Sequence, residues 1–222
     1  MTIEVPGPGW YRFARSYERF GLLRRGIGLT FSGAENVPRE GPVSAVANHR
    51  NDRYDLVAIG LAMKKRRAFY APAKIELKTG LKGRILEGCG ALFFVREDPQ
   101  DRKRVAELMD WHIKQGHMVL TMAEGTSKIV GPQLAPMDRS PLKLATDNGL
   151  DSLLLVGVGG TDTYLDPETR QRTERPKRIH VEIGSLAVPN DLATIRQKRD
   201  FHNEVVVPSL QEVVDVAYAK AV

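Results

Sequence analysis

The sequence predicts an α/β fold with a mainly parallel central sheet covered by helices on both faces. Short apolar stretches of strand length alternate with stretches whose apolar residues recur at helical spacing. The strand-like stretches carry few charges, which is typical of parallel strands buried on both faces. With 222 residues, 42% of them hydrophobic, the chain is long enough and apolar enough to bury such a core.

The predicted elements follow one another along the chain without an internal repeat or a clear linker. A first helix is expected over residues 9–25 and a first short strand over 29–33. Further strands are expected at 43–47, 67–71, 91–95, 117–122, 152–158 and 178–184. Helices are expected at 55–64, 100–115 and 139–148, and over most of 191–219. Gly149 is placed to cap the third of these, and Pro208 is expected to interrupt the last.

The N-terminal helix is strongly amphipathic. Its aromatic residues share one face and its arginines the opposite face: Trp10, Phe13, Tyr17 and Phe20 against Arg12, Arg15 and Arg19. Such a helix is suited to lie in a bilayer interface, and the alternative is a surface helix whose aromatic stripe covers the sheet. We therefore expect residues 1–28 to form an interfacial helix and residues 29–222 the α/β domain.

Composition limits the location and the partners. No apolar run approaches the ~20 residues of a spanning helix, and the N-terminus lacks a signal-peptide apolar region, so a cytosolic protein is expected. A single cysteine excludes an internal disulfide, and no histidine shows metal-ligand spacing, so no metal is predicted. The net charge of +6 favours an anionic partner. Aromatic nucleic-acid motifs are absent, so nucleic acid is not predicted.

His49 is the first candidate for chemistry. It follows a predicted strand and precedes a predicted helix in SAVANHRNDRYDLVAIG, residues 44–60. In parallel α/β sheets, ligands bind at the carboxyl ends of strands, in such loops. A neighbouring carboxylate fixes the tautomer of a histidine, and the second ring nitrogen then takes a proton from a hydroxyl. Asp52 and Asp55 are both candidates for that carboxylate.

The two acids also have a purely structural interpretation. Asp52 is suited to cap the following helix, with Asp55 in its first turn, an arrangement common at helix starts. On this stretch alone, the structural and the catalytic interpretations both remain open.

Four further stretches carry a family resemblance: APAKIELKTG (71–80), GCGALFFVRED (88–98), LTMAEGTSK (120–128) and LLLVGVGG (153–160). Together with the Asn48-His49 pair they resemble the glycerolipid acyltransferase family, over residues 30–185. The motifs of that family are N-H-x-x-x-x-D, a glycine with an apolar run and an arginine, P-E-G-T-R, and an apolar strand containing proline. Four such motifs in order, with a K-x-E-L element between the first two, are far more specific than any one alone.

The chain departs from the family pattern in three places. The family spacing would put its aspartate at Tyr54, so we interpret Asp55 as displaced by a one-residue insertion, with Asp52 as the alternative. The third motif has Ala123 in place of proline and Ser127 in place of arginine. The fourth motif lacks its proline. These departures bear on the identity of the acyl acceptor more than on the type of reaction.

The resemblance implies acyl transfer from acyl-CoA or acyl carrier protein, as co-substrate, directly to an acceptor hydroxyl, with no other cofactor. His49 would be the general base and Asp55 its orienting partner, with backbone amides after His49 as oxyanion donors. The residues expected to bind the substrate are Lys74, Arg96, Glu124, Gly125, Thr126 and Lys128. Arg96 would grip the acceptor phosphate, Glu124 would anchor a neighbouring cation, and Lys128 would replace the missing arginine.

Three functions are compatible with these features. The first is a cytoplasmic enzyme, peripheral on the inner face of the cell membrane, that acylates 1-acylglycerol-3-phosphate to phosphatidic acid. The second keeps the reaction and changes the acceptor to another lysophospholipid or a glycolipid. The third is a non-catalytic basic module that binds anionic lipid.

Overall fold

The computed structural model describes residues 16, 19–51, 54–63, 69–125, 131–162 and 177–221. In this part of the chain one seven-stranded sheet has the order β1-β7-β6-β2-β5-β3-β4. Its strands are β1 (Gly28–Ser32), β2 (Val43–Ala47), β3 (Phe69–Lys74), β4 (Ala91–Phe94), β5 (Met118–Met122), β6 (Ser152–Gly159) and β7 (Arg178–Ala187). Every neighbouring pair is parallel except β6 and β7. The predicted fold class, a mainly parallel α/β sheet, is confirmed.

Helices cover both faces of this sheet. They are α1 (Tyr54–Ala62), α2 (Gly80–Gly88), α3 (Pro99–Lys114), α4 (Ser140–Asp147), α5 (Ile195–Phe201) and α6 (Val207–Ala221). Side chains of β2 alternate between two core clusters, with Ala45 and Ala47 in one and Val46 in the other. Helix α1 packs into the first cluster, and α3, α4 and α6 pack into the second. All five residues of β2 are buried, so the strand that leads to His49 lies in the centre of the core.

Two helical elements differ from the prediction. Helix α2 was not predicted, because its sequence GLKGRILEG holds three glycines, which have low helix propensity. The interruption of the C-terminal helix is a π-helical turn at His202–Val206, in which Val207 N–H donates to His202 O. Pro208 has no N–H to donate, so it tolerates this irregular turn directly before it.

The N-terminal helix is described only at its end, over residues 19–24. Its predicted interfacial residues Trp10, Phe13, Tyr17, Arg12 and Arg15 lie outside the described residues. Leu22 is buried in the core, whereas Phe20 is 64% exposed and Leu23 is 66% exposed. The one described aromatic residue of the predicted stripe therefore faces away from the sheet. Strand β1 begins at Gly28, beside the predicted boundary, and the division into two domains remains a prediction.

Within the described ranges, every helix is too short or too polar to cross a bilayer.

Candidate functional site

Four neighbouring parallel strands end at one edge of the sheet, in the order β2, β5, β3, β4. His49 lies two residues beyond β2, Glu124 two residues beyond β5, and Arg96 two residues beyond β4. Lys74 is the last residue of β3. The parallel topology therefore brings these sequence-predicted residues to the same edge, where α/β proteins bind ligands.

Two asparagines fix the backbone on either side of His49. The buried Asn48 amide bonds both backbone groups of Val158 on β6, with Nδ2 2.9 Å from the oxygen and Oδ1 2.7 Å from the nitrogen. Asn51 Oδ1 accepts from Tyr54 N–H at the start of α1, at 3.1 Å, and its Nδ2 donates to Thr161 O. The first bond pair continues the pairing of β2 with β6 past the end of the strand. The second pair caps the start of α1. The turn that carries His49 is therefore held at both ends.

The imidazole of His49 faces a carboxylate. Its Nδ1 lies 3.0 Å from Asp55 Oδ2, and the His49 side chain is 13% exposed while that of Asp55 is fully buried. Tyr54, at the family's usual aspartate position, is buried in the core. Of the two acids predicted as partners, the structure places Asp55 at the ring, and Asp52 lies outside the described residues.

Asp55 Oδ2 accepts two more hydrogen bonds, from Arg50 N–H at 2.6 Å and from Asn51 N–H at 2.7 Å. An oxygen that accepts from these amides is an acceptor for the ring as well, so Nδ1 of His49 carries the proton and Nε2 the lone pair. One carboxylate therefore serves both interpretations of the sequence. It closes the start of α1 and it orients His49.

The next residue, Arg50, forms a buried ion pair that the sequence analysis missed. Its Nη1 contacts Glu124 Oε2, and both side chains are 0% exposed. The same Glu124 oxygen accepts from His49 N–H at 2.9 Å. Glu124 therefore anchors a cation, as expected, but that cation is Arg50, and its carboxylate points into the protein. A buried carboxylate needs a cationic partner. The signal in the sequence was therefore an arginine, Arg50, directly after the candidate base His49.

The backbone of the segment 131–135 supplies the remaining hydrogen bonds of this ion pair. Arg50 Nε donates to Gly131 O and Nη2 to Gln133 O, each at 2.8 Å. Ala135 N–H donates to the second oxygen of Glu124 at 3.0 Å. Gly131 N–H donates to Asp162 Oδ2 at 2.8 Å. The charges of Arg50 and Glu124 are thus both hydrogen-bonded, as buried charges must be.

The backbone amides at this turn donate to side chains of the site. The N–H groups of Arg50 and Asn51 donate to Asp55, and that of His49 donates to Glu124. These three amides hold the turn together. Stabilisation of an oxyanion by amides at the start of the helix after His49 stays a prediction, since that helix start includes residues 52 and 53, which lie outside the described residues.

Arg96 contacts the turn that follows β5. It is exposed, and its Nη2 donates to Gly125 O at 2.5 Å, one residue beyond Glu124. Gly125 takes the left-handed conformation at φ +58°, and its own N–H donates to Met122 O, so the turn presents its carbonyl to Arg96. Lys74 is exposed at the end of β3. Thr126 and Lys128, the other predicted substrate-binding residues, lie outside the described residues.

A cavity of about 420 Å³ opens further along the same edge, beside α2. Its walls are Lys78, Gly80, Leu81, Gly83, Arg84 and Glu87. Neither His49 nor Asp55 lines it, so it is separate from the paired ring and carboxylate.

Two other histidines, His112 and His180, are buried and have lowered pKa values. His112 is fully buried at the end of α3, its ring stacked on Tyr70, and burial together with neighbouring His117 lowers its pKa to about 4. His180 is buried on β7 with its Nε2 3.2 Å from Glu182 Oε2, and burial lowers its pKa as well. In the part of the chain that is described, no three histidine, cysteine or acidic side chains come together as metal ligands.

Arg50→Met tests the buried ion pair. The substitution leaves the Glu124 carboxylate buried without its cation, which typically costs ~3–5 kcal/mol. We expect the free energy of unfolding, measured by urea titration, to fall by that amount. The double variant Arg50→Met/Glu124→Gln removes both charges and should recover ~1 kcal/mol or more of the loss. A double variant no more stable than Arg50→Met would show that the uncompensated charge is not the cause.

Comparison with known proteins shows the family of the chain and its fold. A family model described as Acyltransferase matches residues 28–150, more than half of the chain. The structure is similar to the crystal structure of the 1-acyl-sn-glycerophosphate acyltransferase PlsC from Thermotoga maritima, with a TM-score of 0.67 and 18% identity. The match covers 91% of this chain and 78% of that chain, and it shows a shared fold. No curated protein matches the chain significantly.

The model match spans the strands that end at the site and the motif that contains His49 and Asp55. The chain is therefore an O-acyltransferase that belongs to the Acyltransferase family, which confirms the resemblance to glycerolipid acyltransferases predicted from its motifs.

Proposed function

We propose that this chain transfers a fatty acyl group from acyl-CoA or acyl carrier protein to the hydroxyl of a lysophospholipid. The preferred acceptor is 1-acylglycerol-3-phosphate, and the product is then phosphatidic acid. The observation that carries the proposal is the contact between His49 Nδ1 and buried Asp55 Oδ2, at 3.0 Å, in a chain of the Acyltransferase family. A solved structure to which this chain is similar is that of a 1-acyl-sn-glycerophosphate acyltransferase, which agrees with that acceptor.

The tautomer of His49, with the proton on Nδ1, determines which ring nitrogen accepts the proton of the substrate. His49 Nε2 takes the proton of the acceptor hydroxyl as its oxygen attacks the thioester carbonyl of the donor. The tetrahedral intermediate then expels the donor sulfur, which takes the proton from the imidazolium. Asp55 keeps the ring oriented and stabilises its cationic form throughout. Proton transfer of this kind contributes ~10²–10⁴-fold, and positioning of the two substrates supplies much of the remainder.

The acceptor phosphate is bound by cations at the strand edge. Arg96 is the principal one, because a guanidinium grips phosphate with two parallel hydrogen bonds and this side chain is exposed beside the Glu124–Gly125 turn. Lys74, at the end of β3, adds a second charge. Gly125, Thr126 and Lys128 complete the phosphate site in this proposal, with Glu124 as its internal support.

Peripheral attachment to the membrane gives the enzyme access to its lipid acceptor. Phe20 and Leu23 project from one side of the helix at residues 19–24, while Leu22 anchors the other side in the core. Arg19 and Arg24 are exposed on the same short helix and favour anionic headgroups. In this proposal the chain is cytoplasmic and lies on the inner face of the cell membrane.

A different lysolipid or glycolipid acceptor is the second candidate. Ala123 and Ser127 occupy the proline and arginine positions of the third motif, and both changes fall beside the proposed phosphate site. The alternative of a non-catalytic lipid-binding module rested on the displaced aspartate. The ring of His49 nevertheless meets Asp55, which favours an active enzyme.

His49→Ala and Asp55→Ala test the reaction. With lysophosphatidate and acyl-CoA, we expect each variant to lose ~10²-fold or more in kcat, since His49→Ala removes the general base and Asp55→Ala removes the carboxylate that orients it. Thr194→Ala is the matched control, because Thr194 also accepts from a helix-start amide, Gln197 N–H at 3.1 Å, but lies at the start of α5. It should retain wild-type activity.

The same assay, run with a panel of lysolipids and with both donors, separates the candidate functions. Turnover with lysophosphatidate supports phosphatidic acid synthesis, and turnover with another lysolipid alone supports the second candidate. A folded wild-type protein that binds lipid vesicles without transferring any acyl group would contradict the enzymatic proposal.

Arg96→Ala tests the phosphate site. A charge-assisted hydrogen bond contributes ~1.5–3 kcal/mol, so the acceptor KM should rise about tenfold or more while the donor KM changes little. Arg104→Ala is the control, since Arg104 also donates to a backbone carbonyl, Phe93 O at 2.7 Å, but lies on α3. A rise confined to the donor KM would place the acceptor phosphate elsewhere.

A further inference from the structure

The buried Arg50–Glu124 pair depends on a segment that has no regular structure of its own. Gly131 O and Gln133 O hold the guanidinium, and Ala135 N–H holds the carboxylate. Glu124 in turn holds the backbone N–H of His49 at 2.9 Å. A shift of the segment 131–135 would therefore be transmitted to the main chain of His49 through two side chains.

Gln211 on helix α6 clamps that segment. Its Nε2 donates to Pro132 O at 2.9 Å, and its Oε1 accepts from Leu134 N–H at 2.9 Å. Nε2 also donates to Asp215 Oδ1 one turn along the helix, at 2.8 Å, which holds the amide in this orientation. The amide thus bonds the segment on both sides of Gln133, the residue whose carbonyl holds Arg50.

The clamp requires a side chain that both donates and accepts. Proline has no N–H, so the segment presents a carbonyl at Pro132 and an amide at Leu134. A carboxylate accepts only and would face Asp215, and an apolar side chain leaves both backbone groups without their partner. Glutamine alone matches this pattern at this length.

Helix α6 is rigidly seated, so it is a fixed point for the clamp. A Cβ added at Gly157 of β6 would lie 2.5 Å from Val213 O, and one at Gly159 would lie 2.5 Å from Ala217 O. The helix backbone therefore rests directly on the strand. Leu210 and Val214 are fully buried beneath it.

A second residue of the same helix face lies near the site. Tyr218 follows Gln211 by seven residues, and its hydroxyl is buried. Burial and the charge of Asp162 raise the pKa of Tyr218, so the phenol stays neutral. Asp162 also accepts from Gly131 N–H, the first residue of the segment. Tyr218 and Gly131, the first residue of the clamped segment, therefore have Asp162 as a common neighbour.

We propose that Gln211 is a positioning residue for acyl transfer. Through Pro132 and Leu134 it fixes the segment 131–135, which fixes Arg50 and Glu124, which fix the main chain of His49. Its effect on the rate rests on the proposed function, whereas the clamp itself is independent of it. The C-terminal helix is then part of the catalytic apparatus, although none of its residues touches the reacting atoms.

Gln211→Met and Gln211→Glu test the proposal in the full-length chain. Met preserves the size and removes both hydrogen bonds, while Glu keeps the acceptor for Leu134 N–H and removes the donor for Pro132 O. Lys220→Met is the matched control on the same helix. Its Nζ donates to Glu182 at 2.7 Å and to Ser32 at 2.9 Å, away from the segment 131–135.

Two readouts are measured on each variant: kcat and both KM values with lysophosphatidate and acyl-CoA, and hydrogen exchange of single backbone amides. For Gln211→Met we expect kcat to fall about tenfold with the acceptor KM nearly unchanged. The amides of His49, Leu134 and Ala135 should exchange about tenfold faster or more. Gln211→Glu should also lower kcat, because its carboxylate would face Asp215 and the carbonyl of Pro132, and Lys220→Met should change neither readout. If Gln211→Met does not fold, Gln211→Glu carries the test.

The two readouts separate failure of this proposal from failure of the proposed function. Unchanged exchange at His49 and Leu134 in both Gln211 variants would overturn the clamp, and so would the same changes in Lys220→Met. A rise in the acceptor KM alone would also overturn it, since that would indicate a role in substrate binding. If the wild type acylates no lysolipid, the proposed function fails, and the exchange rates alone decide on Gln211.

Discussion

One carboxylate oxygen determines the geometry of this site. Asp55 Oδ2 accepts from the ring of His49 and from the backbone N–H groups of Arg50 and Asn51, all within 3.0 Å. The two amides fix the position of the oxygen, and the oxygen fixes the ring. Because the same contacts close the start of α1, the helix and the candidate base are positioned by one interaction. Loss of the carboxylate would therefore affect stability and chemistry together.

A second, deeper layer supports this arrangement from behind. Arg50 and Glu124 have no exposure to solvent, and transfer of two charges from water to the interior is costly. Their hydrogen bonds to the segment 131–135 and to His49 N–H offset part of that cost. A well-packed apolar pair would make the folded protein at least as stable. We therefore attribute the charged pair to its hydrogen bonds, which fix the orientation of the turn at His49. Glu124, in the third motif, thus bonds His49 and Arg50 of the first motif, and its side chain does not face the solvent.

Much of the fold was predictable from local pattern. Apolar runs such as residues 43–47 and 152–158 are buried on both sides, and that burial is visible in the sequence as an absence of charge. Helix α2 was not predicted because its three glycines conceal its helical character. The sequence does not distinguish Asp52 from Asp55 as the partner of His49, because spacing alone does not say which side of a helix start faces the preceding strand. Gln211 was not predictable, since its partners lie 77 and 79 residues away and only the folded chain brings them together.

The tautomer of His49 tests the central claim most directly. The chain has five histidines, so nitrogen-15 labelling of histidine alone permits assignment of each ring by nuclear magnetic resonance, with His49→Gln identifying the signals of interest. The contact with Asp55 predicts that neutral His49 carries its proton on Nδ1, with Nε2 unprotonated, and that Asp55→Ala abolishes this preference. A neutral His49 protonated on Nε2 in the wild type would contradict the account, because no lone pair would then face the acceptor hydroxyl.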